Sequence, residues 1–294
     1  MTTEQVAAVR RFHRLVTQRA GALEDHFLGR DRHLSASRVL YEIGANGADL
    51  RELRARLGLD SQYLDEIVHS LSTSGLVTVT REIGGDDSGR ADLTAAGRIE
   101  FAELNRRSDD VAESILAPLT DSQRDKLVSA MSEVYRLLRL GRARIERVDP
   151  ASREARWCVA QYFAEINRRF EHGFDPKLSI PADDDDFRPP LGAFLIATAD
   201  GEPIACGAVK TIAPRVGYLK RMWVSDSARG LGIGSRMLRA LEDQSRALGI
   251  TAVKLETNRT LVEAISMYRH SGYTEVPPFN DEPYAHYWFE KTLD

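Results

Sequence analysis

Arg229-Gly230-Leu231-Gly232-Ile233-Gly234-Ser235 is the stretch from which the second half of the chain can be read. An apolar run ending Met222-Trp223-Val224 precedes it, and Met237, Leu238, Leu241 and Leu248 follow at the spacing of one helix face. Strand, glycine-rich turn and helix N-terminus make a backbone arrangement suited to a phosphate. Glycines let amide N–H groups come close to an anion, and the helix end adds unpaired donors and a favourable dipole. Taken alone, the same pattern also describes a tight turn that packs a helix closely on a strand.

The neighbouring segments supply the context. Upstream, Ile145-Glu146-Arg147-Val148 reads as a strand that stops at Asp149-Pro150. Trp157, Val159, Tyr162, Phe163 and Ile166 then trace an amphipathic helix reaching Phe170. Gly192 to Thr198 and Pro203 to Ile212 are strands joined by the turn Asp200-Gly201-Glu202, and Gly217 to Val224 is the strand that feeds the glycine turn. Downstream lie a strand at Ala252 to Thr257, a helix around Leu261 to His270, the segment Gly272 to Val276, and a closing strand at Tyr284 to Lys291.

This order, with Val224, the Arg229 to Ser235 turn, Asn258, Ala264, Tyr268 and Gly272-Tyr273 at fitting spacing, resembles the GNAT superfamily of N-acetyltransferases over residues 143–294. A dinucleotide-binding fold fits less well, because the glycines come late and no acidic ribose binder follows a second strand. The resemblance implies an α/β fold with a mixed central sheet and acetyl-CoA as cofactor. The diphosphate would sit on the amides of Arg229, Gly230, Leu231, Gly232, Ile233, Gly234 and Ser235, and the pantetheine arm beside the backbone of Met222 and Val224. It further implies the Val224 amide as the group polarising the acyl carbonyl, Tyr268 as the acid for the departing thiolate, and Asn258 near the cofactor's amide region. The plainer alternatives are a packed helix tyrosine for Tyr268 and a cap or turn for Asn258.

The resemblance is incomplete at the base. Relatives often carry Glu two residues before the Lys-Arg-Met stretch, where this chain has Tyr218. Strand alternation is expected to put Tyr218, Lys220, Met222 and Val224 on one face. Deprotonation then falls to a water relay, to Glu256 or to the amine's own equilibrium. Lys220 or Arg221 could hold a substrate carboxylate, which suits an amino acid or a small acidic amine. Phe174 is a candidate wall of the substrate cleft, with core packing as the alternative.

The first half begins with a helix expected over residues 4–28, with Val6, Val9, Phe12, Val16 and Leu23 on one face. Helices follow from Ser35 to Ile43, across Leu50, Leu53 and Leu57, and from an Asp60 or Ser61 cap through Leu64, Ile67, Val68 and Leu71. Leu76 to Thr80 and Ala91 to Leu93 are β-rich around a turn at Gly84 to Gly89, and long helices start at Thr94 and Thr120. Two short helices and then a strand–turn–strand is the order of a winged helix-turn-helix. Asp49-Leu50 through Leu57-Gly58-Leu59, then Gly75-Leu76-Val77, Leu93-Thr94-Ala95-Ala96-Gly97 and Leu116-Ala117-Pro118-Leu119-Thr120, resemble the MarR family of transcriptional regulators over residues 1–142. That resemblance implies a mainly α homodimer, joined through its first and last helices, on a pseudo-palindromic double-stranded DNA operator. Base readout would fall to Ser61, Gln62 and Tyr63, and phosphate contacts to Arg38, Arg51 and Arg54, with Arg56 beside them and Arg81 and Arg90 on the wing. Ser61 to Ser74 departs from this picture, having no Lys or Arg and carrying Asp65 and Glu66. A winged helix that only dimerises is the alternative.

Composition narrows the classes further. A hydrophobic share of 43% and a charged share of 29% describe an ordinary globular protein of two domains. No apolar run is long enough to span a bilayer, and no secretory leader is apparent. Residues 1–144 carry 21 Lys and Arg against 22 Asp and Glu, and residues 145–294 carry 19 against 22, so DNA binding requires a local basic surface. Cys158 and Cys206 make no disulfide or metal framework, which fits a cytoplasmic chain without a metal. Asp183 to Asp186 reads as a solvated loop. The expectation is therefore a cytoplasmic, dimeric regulator and acetyltransferase acting on a small amine.

Overall fold

The computed structural model describes residues 1–22, 26–81 and 89–294, with Arg81 described by its main chain alone. Two compact units divide at Ala130/Met131.

The first unit opens with α1 (Thr3–Arg19), which stops well short of the expected residue 28. Ala20 closes it and Gly21 follows at a φ of 66°, a conformation no helix continues through. Leu23, expected on its apolar face, lies outside the described residues. The next elements are α2 (Leu34–Ile43), β1 (Ala48–Asp49), α3 (Leu50–Leu57) and α4 (Ser61–Thr73), followed by β2 (Val77–Arg81) and β3 (Gly89–Leu93). The sheet order is β1-β3-β2, all antiparallel. The expected turn at Gly84 to Ser88 lies outside the described residues. Two long helices end the series, α5 (Ala95–Leu116) and α6 (Asp121–Gly141).

Side-chain caps start α3, α4 and α5. The Asp49 carboxylate accepts from the amides of Arg51 and Glu52 at 2.9 and 3.1 Å, Asp60 from Tyr63 N at 2.8 Å, and Thr94 from Gly97 N at 3.0 Å. Leu40, Ile43, Leu53, Leu64, Val68 and Leu71 interlock with the sheet residues Val77, Ala91 and Leu93.

In the second unit, β4 (Arg144–Val148) and α7 (Arg153–Arg169) lead into β5 (Gly192–Ala199), β6 (Glu202–Ala213) and β7 (Val216–Val224). After the glycine turn come α8 (Ile233–Ala247), β8 (Ala252–Thr257), α9 (Val262–His270), β9 (Thr274–Val276) and β10 (Tyr287–Thr292). The seven strands run in the order β4-β5-β6-β7-β8-β10-β9. Every pairing is antiparallel except β7 with β8, so the sheet is mixed as expected.

Alternation along β5 sorts its side chains to the two faces. Phe194 and Ile196 pack with Cys158 of α7, while Ala193, Leu195 and Ala197 pack with Met237, Leu238 and Leu241 of α8. Fully burying each large apolar side chain of α8 stabilises the unit by about 1.5–3 kcal/mol. The same core takes in Leu140 and Ala143, and Arg236 donates to the Ala143 carbonyl at 2.6 Å. Leu140, at the end of α6, thus packs with the second unit, which begins at Met131.

The parallel β7–β8 pairing covers only Val216 to Tyr218. Beyond Tyr218 the strands are not joined, and the β7 edge from Leu219 to Val224 is left open toward α9.

Candidate active site

The glycine turn follows that open edge. Gly230 and Gly232 adopt φ values of 76° and 78°, where a Cβ would be strained although nothing stands within 4 Å of it. Among the described residues, none of the amides from Gly230 to Ser235 is paired within the turn, and the first helical bond runs from Arg236 N to Gly232 O. The Arg229 amide, expected among the phosphate-binding amides, is directed at Asp226 O, 3.4 Å away. The Arg229 guanidinium is also committed: Nε donates to Val224 O at 3.1 Å, and its terminal nitrogens pair with Glu165 and Asp226. Glu165 is bonded in turn by Arg169, which reaches Glu263 at 2.8 Å. This chain of ion pairs ties α7, the turn and α9 together.

A cavity of about 450 Å³ lies between these elements, walled by Tyr162, Ile166, Met222, Val224, Met267 and Tyr268 and floored by the glycine turn. Ser225 N donates to Ile204 O at 2.8 Å, so alternation turns the Val224 N–H toward the open edge and the cavity. Unpaired amides, a free strand edge and an apolar trough are what a diphosphate joined to an extended thiol arm requires, so the residues present fit acetyl-CoA. Leu231 contributes main chain here and packs its side chain on the core.

A second, smaller cavity of about 90 Å³ shares Tyr162, Met222 and Tyr268 with the first. Its inner wall is charged. The Glu256 side chain is 9% exposed, and Lys220 Nζ stands 3.8 Å from its Oε1. Burial raises the Glu256 carboxyl above its ordinary range, while the Tyr218 hydroxyl, Lys220 and Asn280 partly oppose the shift. Burial lowers the Lys220 ammonium, against the pull of Glu256 and Glu282. Its mouth is aromatic: Phe174 stacks on Phe163 with centroids 5.5 Å apart and leans on Tyr284 at 4.8 Å. Phe174 thus lines the cavity and packs an aromatic cluster at once.

Tyr268, on α9, lies where the two cavities meet. It is 5% exposed, its ring packing against Tyr273 and Phe289. Burial, reinforced by the Glu256 charge, raises its phenol, so the hydroxyl keeps its proton at neutral pH.

Three expectations are corrected. Strand β7 carries a bulge at Arg221, whose φ is 56°, between the pairs Ala208–Lys220 and Cys206–Trp223. The extra residue reverses the alternation: Tyr218 and Lys220 keep one face, whereas Met222 and Val224 turn to the α8 core. Tyr218 is 2% exposed and lines neither cavity; its hydroxyl accepts from Asn280 at 3.0 Å, and Asn280 also donates to Glu256 at 3.4 Å. Arg221 is among the residues lining the smaller cavity, but its guanidinium donates to Ala182 O at 2.7 Å, stands 4.7 Å from the Phe187 ring centroid and faces Asp184 at 3.9 Å. Its charge is therefore spent away from the place where a substrate carboxylate would sit.

Asn258 takes its turn role. Its amide donates to Tyr284 O at 2.8 Å, and its oxygen accepts from Thr260 N and Oγ1 at 3.0 and 2.9 Å. It lines the smaller cavity while holding the β8–α9 connection. Glu282, Asn280, Tyr284 and the wall role of Tyr162 were not expected. The first three lie in the β9–β10 connection, where no periodicity marks them. The buried Cys158 and Cys206 are both free. The acidic run forms a turn in which Asp186 meets Lys210 at 2.9 Å, and no metal-binding cluster occurs among the described residues.

In the first unit Ser61, Gln62 and Tyr63 are exposed at the start of α4, beside Asp65 and Glu66. Gln62 donates to Glu66 at 3.2 Å. Arg38 pairs with Glu42 at 2.6 Å, Arg56 reaches Glu42 at 3.0 Å, and Arg90 pairs with Asp92 at 3.2 Å. Arg51 is exposed and Arg54 half-buried, while the Arg81 side chain lies outside the described residues. Among the described residues no helix is long and apolar enough to cross a membrane.

Known proteins resemble the second half of the chain. The Acetyltransferase (GNAT) family model matches residues 159–273. The chain is 34% identical over 130 residues to the IAA acetyltransferase of Azospirillum brasilense, a match covering 44% of this chain and 83% of that protein. It is 29% identical over 99 residues to an uncharacterized N-acetyltransferase of Schizosaccharomyces pombe, covering 33% of this chain and 61% of the relative. The solved GNAT-family acetyltransferase of Staphylococcus aureus Mu50 aligns over 52% of this chain and 99% of its own, at 16% identity and a TM-score of 0.44.

Proposed function

The chain belongs to the GNAT acetyltransferase family, and we propose that its second unit moves the acetyl group of acetyl-CoA directly onto a small amine. The observation that carries this reading is the meeting of the two cavities at Tyr268, one floored by unpaired amides and the other walled by a buried carboxylate. When bound, acetyl-CoA supplies an acetyl group on a thioester and departs as the free thiol. The amides of Gly230 to Ser235 hold the diphosphate. The Val224 N–H stabilises negative charge on the acyl oxygen. Glu256 takes the proton that frees the amine's lone pair for attack, and the C–N bond forms as the C–S bond breaks. Tyr268 Oη gives its proton to the departing sulfur and regains one from the acetylated nitrogen through water. Thiol release measured over an amine panel tests this. Saturable turnover is expected, and acetyl-CoA binding without turnover on any amine would make the unit a sensor instead.

For the first unit, the order of two capped short helices before a three-stranded β1-β3-β2 sheet supports a MarR-like winged helix that dimerises and binds operator DNA. The protein would then be a bifunctional regulator working in the cytoplasm, where its two thiols stay reduced. Acetyl-CoA or the amine would alter DNA affinity, which requires unequal binding to two states of the dimer. Titration of genomic operator fragments, with and without saturating ligand, tests both points. Absence of salt-dependent binding leaves a dimerisation module, and equal affinity in both conditions removes the coupling.

A further inference from the structure

The wall of the smaller cavity carries two carboxylates, Glu256 and Glu282, beside Lys220 and Arg221. Glu282 lines it and is 7% exposed. Its Oε2 accepts from Ser179 Oγ at 2.8 Å and from Ile180 N at 2.9 Å, which pins the carboxylate in place. Its Oε1 has no partner among the described residues. A buried carboxylate oxygen left in that state requires a donor.

The surrounding groups show which donor is missing. Lys220 Nζ is shared between Glu256 at 3.8 Å and Glu282 at 3.9 Å, and it donates to Ile180 O at 3.3 Å. One ammonium thus serves two carboxylates and a carbonyl, within hydrogen-bond distance of the carbonyl alone. Arg221, the other cation of this wall, is committed to Ala182 O on the far side. Phe170, Phe174 and Tyr284 also line the cavity, and aromatic faces attract a cation. A ligand ammonium in this cavity would add donors and positive charge beside the two carboxylates. A ligand carboxylate would face two acids, with a single lysine already engaged by both.

We propose that Glu282, together with Glu256, selects a cationic amine with no carboxylate beside its reacting nitrogen and thereby excludes the α-amino groups of amino acids. The proposal rests on reading the smaller cavity as the acceptor site. Glu282 keeps its pinned geometry and holds the incoming ammonium. Glu256 then accepts one proton, leaving a neutral amine and a neutral carboxylic acid. Glu282 is a specificity residue in this scheme, distinct from the proton-transfer groups.

Matched pairs of probes, each with a single amine, test it: tyramine against tyrosine, and isoamylamine against leucine. Binding to the full-length protein saturated with coenzyme A is measured by calorimetry, and thiol release from acetyl-CoA is followed in parallel. The carboxylate-free member of each pair should bind at least tenfold tighter. Glu282→Gln should cut that preference below threefold by weakening the amine, raising KM more than it lowers kcat and leaving acetyl-CoA affinity unchanged. Glu282→Asp should restore part of the preference. Equal or tighter binding of the amino acid overturns the proposal, as does binding of neither member of either pair, or an intact preference in Glu282→Gln. If that variant does not fold, the comparison within each pair on the unaltered protein still decides. Preferential amine binding without thiol release supports the selectivity and counts against acetyl transfer, so the two readings fail separately.

Discussion

Lys220 Nζ lies 3.8 Å from Glu256 Oε1 on the wall of the smaller cavity, and the two groups oppose each other's loss of charge. Burial raises the Glu256 carboxyl, while Lys220, the Tyr218 hydroxyl and Asn280 pull it down and Glu282 adds to the rise. A base of this kind is idle while protonated, so kcat/KM should climb as pH passes through a value above the ordinary carboxylate range. Removing the lysine removes a downward pull. Lys220→Met is therefore expected to move the acidic limb of the pH profile to higher pH, and an unmoved or lowered limb would exclude Glu256 as the titrating group. Glu256→Gln should lower kcat/KM by about 10²–10⁴-fold, the usual range for a positioned base.

Tyr268→Phe isolates the proton at the junction of the cavities. The ring contacts with Tyr273 and Phe289 survive the change, so thermal stability should hold within a few degrees. The rate should not: kcat is expected to fall about 10²–10⁴-fold with the KM for acetyl-CoA little altered. A raised KM at constant kcat would mean that the hydroxyl binds cofactor and donates no proton.

Much of this site was legible in the chain, and the reasons separate by residue. The cradle could be read because the φ values at Gly230 and Gly232 leave few residues but glycine, and because the apolar spacing from Met237 to Leu248 marks the helix behind it. Strand β7 misled, since simple alternation holds only for a regular strand and nothing in Lys220-Arg221-Met222 announces a bulge. The bulge sends Arg221 toward Phe187 and separates Tyr218 from Met222. Glu282 was invisible for another reason: it sits in a connection without periodicity, and its importance comes from the tertiary approach of Ser179, Ile180 and Lys220.

Gly232→Ala tests the cradle directly. The residue has a φ of 78° and open space where a Cβ would go, so the penalty is conformational and not a clash. Holding an L-residue there costs about 1–2 kcal/mol, and relaxation of the turn would swing the following amides off a common target. Acetyl-CoA affinity measured by calorimetry should drop by about tenfold or more. Retained affinity would show that the diphosphate does not rest on this turn.

Helix α1 calls for a partner. It has no buried residue, and Val6, Val9, Phe12 and Val16 form an apolar stripe with exposures of 39, 53, 43 and 41%. A helix of this length is marginal in water by itself and gains its stability from an apolar face packed on something. Helix α6 shows a second such stripe, with Met131, Tyr135 and Leu138 exposed by 45, 64 and 61%. The MarR-like reading assigns both stripes to a second copy of the chain, because first and last helices form the dimer in that family. Sedimentation at micromolar concentration should therefore find a dimer, and Val9→Glu combined with Phe12→Glu should yield a monomer with reduced helix content. A monomeric unaltered protein with α1 fully helical would remove the dimer from the proposal, and with it the paired half-sites of a palindromic operator.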